Sequence, residues 1–232
     1  MSNSVFDLRQ KLAAEFTGTG FLVGTVVGSG IMAERLSDGN VGLALFANGV
    51  ATGAILVVLI IMFAPISGAH LNPAVSLVMR LNGTLGTSEF FAYIASQIVG
   101  GLVGVMVAHA MFAETLFQFS GTERNGAPQW LAEVVATFGL VLTILLTLRS
   151  RPGAVGPCVG LYIASAYWFT ASTSFANLAV TIARALTNTF SGIRPLDVGP
   201  FLLAEIIGAV LALYVARLLL ARSTPSSEES GS

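Results

Sequence analysis

The sequence predicts an all-α membrane protein: six transmembrane helices plus two re-entrant half-helices, arranged as an inverted three-helix repeat. Three observations carry this. First, 54% of the 232 residues are apolar and only 10% are charged, whereas a soluble domain carries about 25% charge. Second, six apolar runs approach the roughly 20 residues that a helix needs to cross the hydrocarbon. Third, two small-polar segments, SGAHLNPAVS from Ser67 to Ser76 and STSFANLAVT from Ser172 to Thr181, interrupt the apolar pattern about a hundred residues apart.

Taken in order, the chain opens on MSNSVFDLRQKL, which is amphipathic. The run after it is too long for the core of a cleaved signal peptide, so none is expected. The predicted spans are 12–33, 41–63, 90–112, 131–148, 155–171 and 198–220, the fifth being marginal in length. Two further apolar stretches, 72–81 and 177–186, are too short to span and read as half-helices. The tail STPSSEESGS is polar and expected to be disordered. Glycines at fourfold spacing (Gly20, Gly24, Gly28; Gly49, Gly53; Gly100, Gly104) suit close helix packing. Trp130 and Trp168 read as interfacial anchors, and the single Cys158 as an inert packed residue that allows no internal disulfide.

The chain echoes itself. AEFTGTGFLVG at Ala14 returns as AEVVATFGLVL at Ala132, and SQIVGG at Ser96 as AEIIGA at Ala204. The first repeat is assigned to residues 1–118 and the second to 119–222, leaving 223–232 as tail. Each repeat holds three spans, so the two copies are inserted upside down relative to each other. Inverted repeats bring their broken helices together at the midplane. Six spans put both termini on one side. That side carries Arg9, Lys11, Arg80, Arg149, Arg151, Arg217 and Arg222, against Arg35, Arg124, Arg184 and Arg194 on the other, which predicts cytoplasmic termini.

Non-helical backbone at membrane depth survives only where it is buried in protein or lines water. SGAHL and STSFA are suited to this. Asn72 and Asn177 are good N-caps, and Pro73 at the first helical position loses no hydrogen bond. Two helix N-termini with partial positive charge would then meet near the centre. The side-chain amides of Asn72 and Asn177 are expected to be free to donate to a solute. The carbonyls of Gly68, Ala69 and His70, and of Thr173, Ser174 and Phe175, offer acceptors. This is a path for neutral, hydrogen-bonding solutes.

These residues resemble the major intrinsic protein family of aquaporins and aquaglyceroporins. The likeness runs through AEFTGTG, SGAHLNPAV, AEVVATF and STSFANLAV, over nearly the whole chain. The stretch from Gly160 to Ile193 resembles bacterial aquaglyceroporins associated with arsenic resistance. The resemblance implies the aquaporin fold, a homotetramer with one pore per subunit, no cofactor and no metal. It makes Asn72, Pro73, Ala74 and Asn177, Leu178, Ala179 the paired pore motifs, and His70 a pore-wall residue. It makes Glu15 and Glu133, matched by repeat, the supports of the two pore loops. Gln97 and Glu205 also match and are expected to bond between helices; His109 is read as packing.

The chain departs from the family pattern at the selectivity filter. Where the family carries Arg after the second motif, Val180 stands here, followed by Thr181. Family spacing assigns Thr52 and Ser174 to the filter. The helix-five position is either Ser165, counting from Asn177, or Tyr167, counting from Gly160. An open, uncharged filter is expected. Arg184, four residues past Val180, is expected at the surface, with partial replacement of the missing charge as the alternative. Leu178 in place of the second proline is expected to widen or shift the central constriction.

The resulting reading is a passive channel in the bacterial inner membrane for water and small neutral solutes: glycerol, urea and metalloid acids such as arsenous acid. Its partners are those solutes and the lipid bilayer. A formal net charge of −1 points to no nucleic-acid partner. A coupled secondary transporter would need an ion site and gradient-driven flux; a structural membrane protein would conduct little. No nucleophile–base constellation or metal-ligand cluster suggests an enzyme.

Overall fold

The computed structural model describes residues 5–221; the polar tail and Arg222 lie outside the described residues. Its described part contains eight α-helices and no strand: α1 Leu8–Leu36, α2 Val41–Ser67, α3 Pro73–Leu81, α4 Thr87–Phe112, α5 Ala127–Ser150, α6 Val155–Phe169, α7 Leu178–Arg184 and α8 Pro195–Leu220. Five of them (α1, α2, α4, α5 and α8) are long and apolar enough to cross a membrane. The sixth span, α6, has 15 residues and is entered by a single 3-10 turn at Pro152–Ala154. It ends two residues before the predicted boundary, because Thr170 leaves the helical region. The other spans extend the predicted runs by up to four residues at each end, where polar caps such as Asp7 and Asn40 close the helices.

The half-helices start where the asparagines place them. Asn72 and Asn177 are both extended N-caps whose side chains accept from Ala74 N (2.9 Å) and from Ala179 N (3.0 Å). The second stops at Arg184, two residues short of the predicted end.

The order of two spans, a half-helix and a third span occurs twice, with the chain crossing from one copy to the other through 113–126. Close backbone approach holds each copy together. A Cβ on Gly20 would lie 3.2 Å from Gly100 O, and one on Gly100 or Gly104 would strike the α1 backbone at Phe16 or Gly20. In the second copy a Cβ on Gly208 would strike Val134 O. The copies meet through a mutual contact, Gly53 of α2 against Gly160 O and Gly160 of α6 against Gly53 O. That reciprocity marks the pseudo-twofold axis. Buried aliphatics from both copies, including Leu22, Leu56, Leu140 and Ile163, form one core around it.

Candidate functional site

A cavity of about 410 Å³ runs between the copies. Matched positions line it in pairs: Leu22 with Leu140, Val26 with Ile144, Leu56 with Ile163, Thr52 with Val159, and Ile60 with Tyr167. Asn72 and Asn177 sit on its wall.

The two loops before the half-helices are built alike. Glu15, fully buried in α1, accepts from His70 N (2.9 Å), Leu71 N (2.7 Å), Ser67 Oγ (2.6 Å) and Gln97 Nε2 (2.7 Å). Glu133, fully buried in α5, accepts from Phe175 N (2.9 Å) and Ala176 N (2.8 Å). A trans peptide points its N–H and C=O in opposite directions. Anchoring the amides of 70 and 71 on Glu15 therefore turns the carbonyls of Ala69 and His70 away from it. Glu133 does the same for Ser174 and Phe175. All four of these residues line the cavity.

The backbone is held in an unusual state to achieve this. Ala69 (φ 48°) and Leu71 (φ 49°) are left-handed, as are Ser174 (φ 54°) and Ala176 (φ 48°). Such residues cost about 1–3 kcal/mol each unless their surroundings over-determine them; here the glutamates do so. Gly68 also lines the cavity, while Thr173, expected there, does not.

The side-chain amides of Asn72 and Asn177, expected to be free to donate to a solute, are each committed through one hydrogen. Asn72 Nδ2 donates to Ala176 O (2.7 Å) and Asn177 Nδ2 donates to Leu71 O (2.8 Å). Each amide has two hydrogens, so one ties the loops together across the axis and the other is left for the cavity. Pro73, Ala74, Leu178 and Ala179 do not line the cavity. Leu178 packs instead, partly buried, against an apolar cluster that includes Ala74, Val75 and Val78 of α3 together with residues of α5 and α8.

His70 lines the cavity, with Nδ1 3.1 Å from Ser76 Oγ and its ring edge-on to Tyr93 at 5.2 Å. At the end toward α7, Thr52 Oγ1 donates to Asn48 O (2.8 Å) and lies 3.2 Å from Tyr167 OH. Thr52 has a single proton, so Tyr167 donates to Thr52, leaving acceptor lone pairs on both oxygens. Ser174 and Val180 complete this end. Ser165 is excluded from it: the side chain is exposed on the outer face of α6 and bonds back to Leu161 O (2.9 Å). Tyr167, two residues on, is 3% exposed and faces the cavity.

The expectation that Arg184 lies at the surface is corrected. Arg184 is 2% exposed and lines the cavity. It follows Asn177 by seven residues, as the cavity-lining Met79 follows Asn72, and that spacing was the available signal. Arg124, from the 113–126 connection, was also missed. Its guanidinium carbon lies 4.9 Å from the centroid of Phe175, itself edge-on to Phe201. His109 is buried, with its ring nitrogens near Leu116 O (3.1 Å) and Thr187 Oγ1 (2.8 Å), and away from the cavity lining.

Against known proteins, a profile described as major intrinsic protein matches residues 2–174, ending three residues before Asn177. The aquaglyceroporin AqpS of Rhizobium meliloti is 54% identical over 220 residues, covering 95% of this chain and 94% of that protein. Nodulin-26 of Glycine max is 27% identical, with 96% and 82% covered. The X-ray structure of the aquaglyceroporin from Plasmodium falciparum matches with a TM-score of 0.72 at 20% identity, covering 92% of this chain and 98% of that one. That likeness is one of fold.

Proposed function

Since the chain belongs to the major intrinsic protein family and is a multi-pass membrane channel for water and small solutes rather than an enzyme, we propose that its cargo is the class of small uncharged hydrogen-bonding molecules. Water, glycerol, urea and metalloid acids such as arsenous acid fall in this class. The observation that carries the reading is the cavity past the Asn72–Asn177 junction. Apolar side chains make most of its wall, and a few polar groups converge at one end. An apolar wall strips water from a solute, and the placed carbonyls, hydroxyls and amides replace part of that hydration. A charged solute loses far more hydration than the wall returns.

The short side chains at the α7 end support solutes larger than water. Val180 there is short and uncharged, and Thr52 and Ser174 are small. The relative named an aquaglyceroporin points the same way. Exposed apolar residues such as Phe21, Leu161, Leu203 and Tyr214 suit contact with lipid or with neighbouring subunits of a homotetramer. The distribution of basic residues favours cytoplasmic termini, and the relative from Rhizobium meliloti favours a bacterial inner membrane. With Arg184 removed from the loops into the cavity wall, the count becomes seven against three.

The test is a stopped-flow panel in proteoliposomes containing water, glycerol, urea, arsenite and methylated arsenicals. Non-saturating downhill flux is expected for water and at least one larger neutral solute. Saturable flux that accumulates solute against its gradient would instead indicate a coupled transporter.

A further inference from the structure

Arg184 closes α7 as a buried guanidinium on the cavity wall. Its Nε donates to Ser191 O, and its central carbon lies 3.4 Å from the Phe175 ring centroid, so it is held against that ring's face. Its Nη1 is buried and bonds to no protein acceptor. Ser174 Oγ, on the same wall, is buried and unbonded as well. Arg124 sits over the same ring, with Nε donating to Gly192 O (2.8 Å) and Nη1 to Ser172 O (3.3 Å). Among the described residues no carboxylate forms an ion pair with either arginine. An unpaired buried cation is costly, and at membrane depth such a charge marks the path of a solute or ion.

We propose that Arg184 is the cationic donor of the pore, standing one helical turn beyond Val180 and reading solute oxygens with Nη1 and Ser174 Oγ. The inference rests on the channel reading above. Four residues of α-helix displace the charge by about 6 Å along α7. The guanidinium lies against Phe175 instead of occupying the place that Val180 leaves open. Charge selection and size selection are thereby separated. The field of Arg184, reinforced by Arg124, opposes cations and hydronium, while the cross-section at Val180 admits a polyol. A hydroxylated solute finds donors at Arg184 and Ser174, and acceptors at Thr52 and Tyr167.

The experiment uses the full chain in proteoliposomes, with light scattering for water and glycerol and a pH-sensitive dye under a potassium diffusion potential for protons. Wild type is expected to conduct glycerol while its proton flux stays at the level of protein-free vesicles. Arg184→Met, which copies the matched Met79, is expected to raise proton flux by about tenfold or more and to lower the glycerol-to-water ratio by about threefold. Arg184→Lys keeps the charge without the planar fork, so proton exclusion should hold while the ratio falls. Arg184→Met that still carries glycerol and excludes protons as wild type does would overturn the proposal. Val180→Arg gives a second route should Arg184→Met fail to insert. It is expected to change proton flux less than about twofold, because the barrier already exists. A wild-type proton leak that Val180→Arg suppresses about tenfold would show that position 184 holds no barrier. Absence of both water and glycerol flux in wild type would instead defeat the channel reading, and this inference with it.

Discussion

The two ends of the cavity are built from matched positions and differ in chemistry. Toward α3 the wall carries Ile60, Val159, Ala69 and Met79. Toward α7 the partners of those positions are Tyr167, Thr52, Ser174 and Arg184. His70 reverses the trend, since its matched position in the second copy is Phe175. Beneath this difference the supports stay alike: Glu15 and Glu133 hold the loops, the asparagines cross-link them, and the left-handed residues recur at the same places. The scaffold is symmetric because both loops face one geometric problem, that of turning carbonyls into a cavity at membrane depth. The lining is free to differ, and its polar side chains gather at one end.

The supports differ in one respect, which gives the largest expected effect. Glu15 satisfies four donors, and each buried donor left unpaired costs about 1–3 kcal/mol. Glu15→Ala is therefore expected to remove several kcal/mol, enough to abolish recovery of folded protein from the membrane. Glu133→Ala strips three donors of their acceptor, the amides of Phe175 and Ala176 and the hydroxyl of Ser172. Glu133 has no counterpart of the Gln97 bond to Glu15, so its loss should leave a measurable but lowered thermal midpoint in detergent. A Glu133→Ala protein no more stable than Glu15→Ala would break the comparison.

A smaller effect is expected at the polar end. Tyr167→Phe removes one hydroxyl from the wall and one bond to Thr52. A hydrogen bond of about 0.5–1.5 kcal/mol predicts roughly a two- to tenfold loss of glycerol permeability with little change in water. The matched control, Ile60→Val at the apolar end, should leave the ratio alone, and stopped-flow scattering reads both.

The smallest effect is expected at Glu205. Glu205 Oε1 accepts from Thr181 Oγ1 (2.5 Å) and Asn177 N (3.3 Å), while Oε2 is buried with no N–H donor and the carboxyl faces that of Glu133. Gln97 occupies the matched place in the first copy and donates to both Glu15 and Ser76 Oγ. Glu205→Gln should hence shift stability by no more than about 1 kcal/mol, and upward if the new amide reaches Glu133. A large loss would mean that the two copies satisfy their helix contacts by different rules.

The fold was legible because membrane solvation leaves few choices. Apolar runs of fixed length, paired Asn motifs and repeated glutamates each fix one part of it, and the family resemblance joins them. That Glu15, Glu133 and Gln97 need partners was readable, because a carboxylate or amide inside the membrane must find them; that the two glutamates hold the pore loops came from the family resemblance. The lining was less legible, since a cavity wall and a packed core use the same residue types. Ser165 and Tyr167 differ by two positions, about 200° of helix rotation, and α6 ends too near the boundary for spacing to decide. Arg184 was misplaced because a lone arginine near a helix end ordinarily snorkels to the interface. The seven-residue spacing shared with Met79 carried the correct answer. The asparagine cross-links could not be read at all, as they depend on how the two copies meet.

The central claim is that solute range is set at the α7 end, in the space that Val180 leaves open. The most direct measurement is the water and glycerol permeability of wild type and Val180→Arg, at equal protein per liposome. Arg fills that space with a long planar cation and five fixed donors. Water can still bond past it in single file, whereas each glycerol hydroxyl left unpaired adds to the barrier. The account predicts a fall in glycerol permeability of about tenfold or more, with water reduced less than about threefold. An unchanged glycerol-to-water ratio at unchanged flux would contradict it.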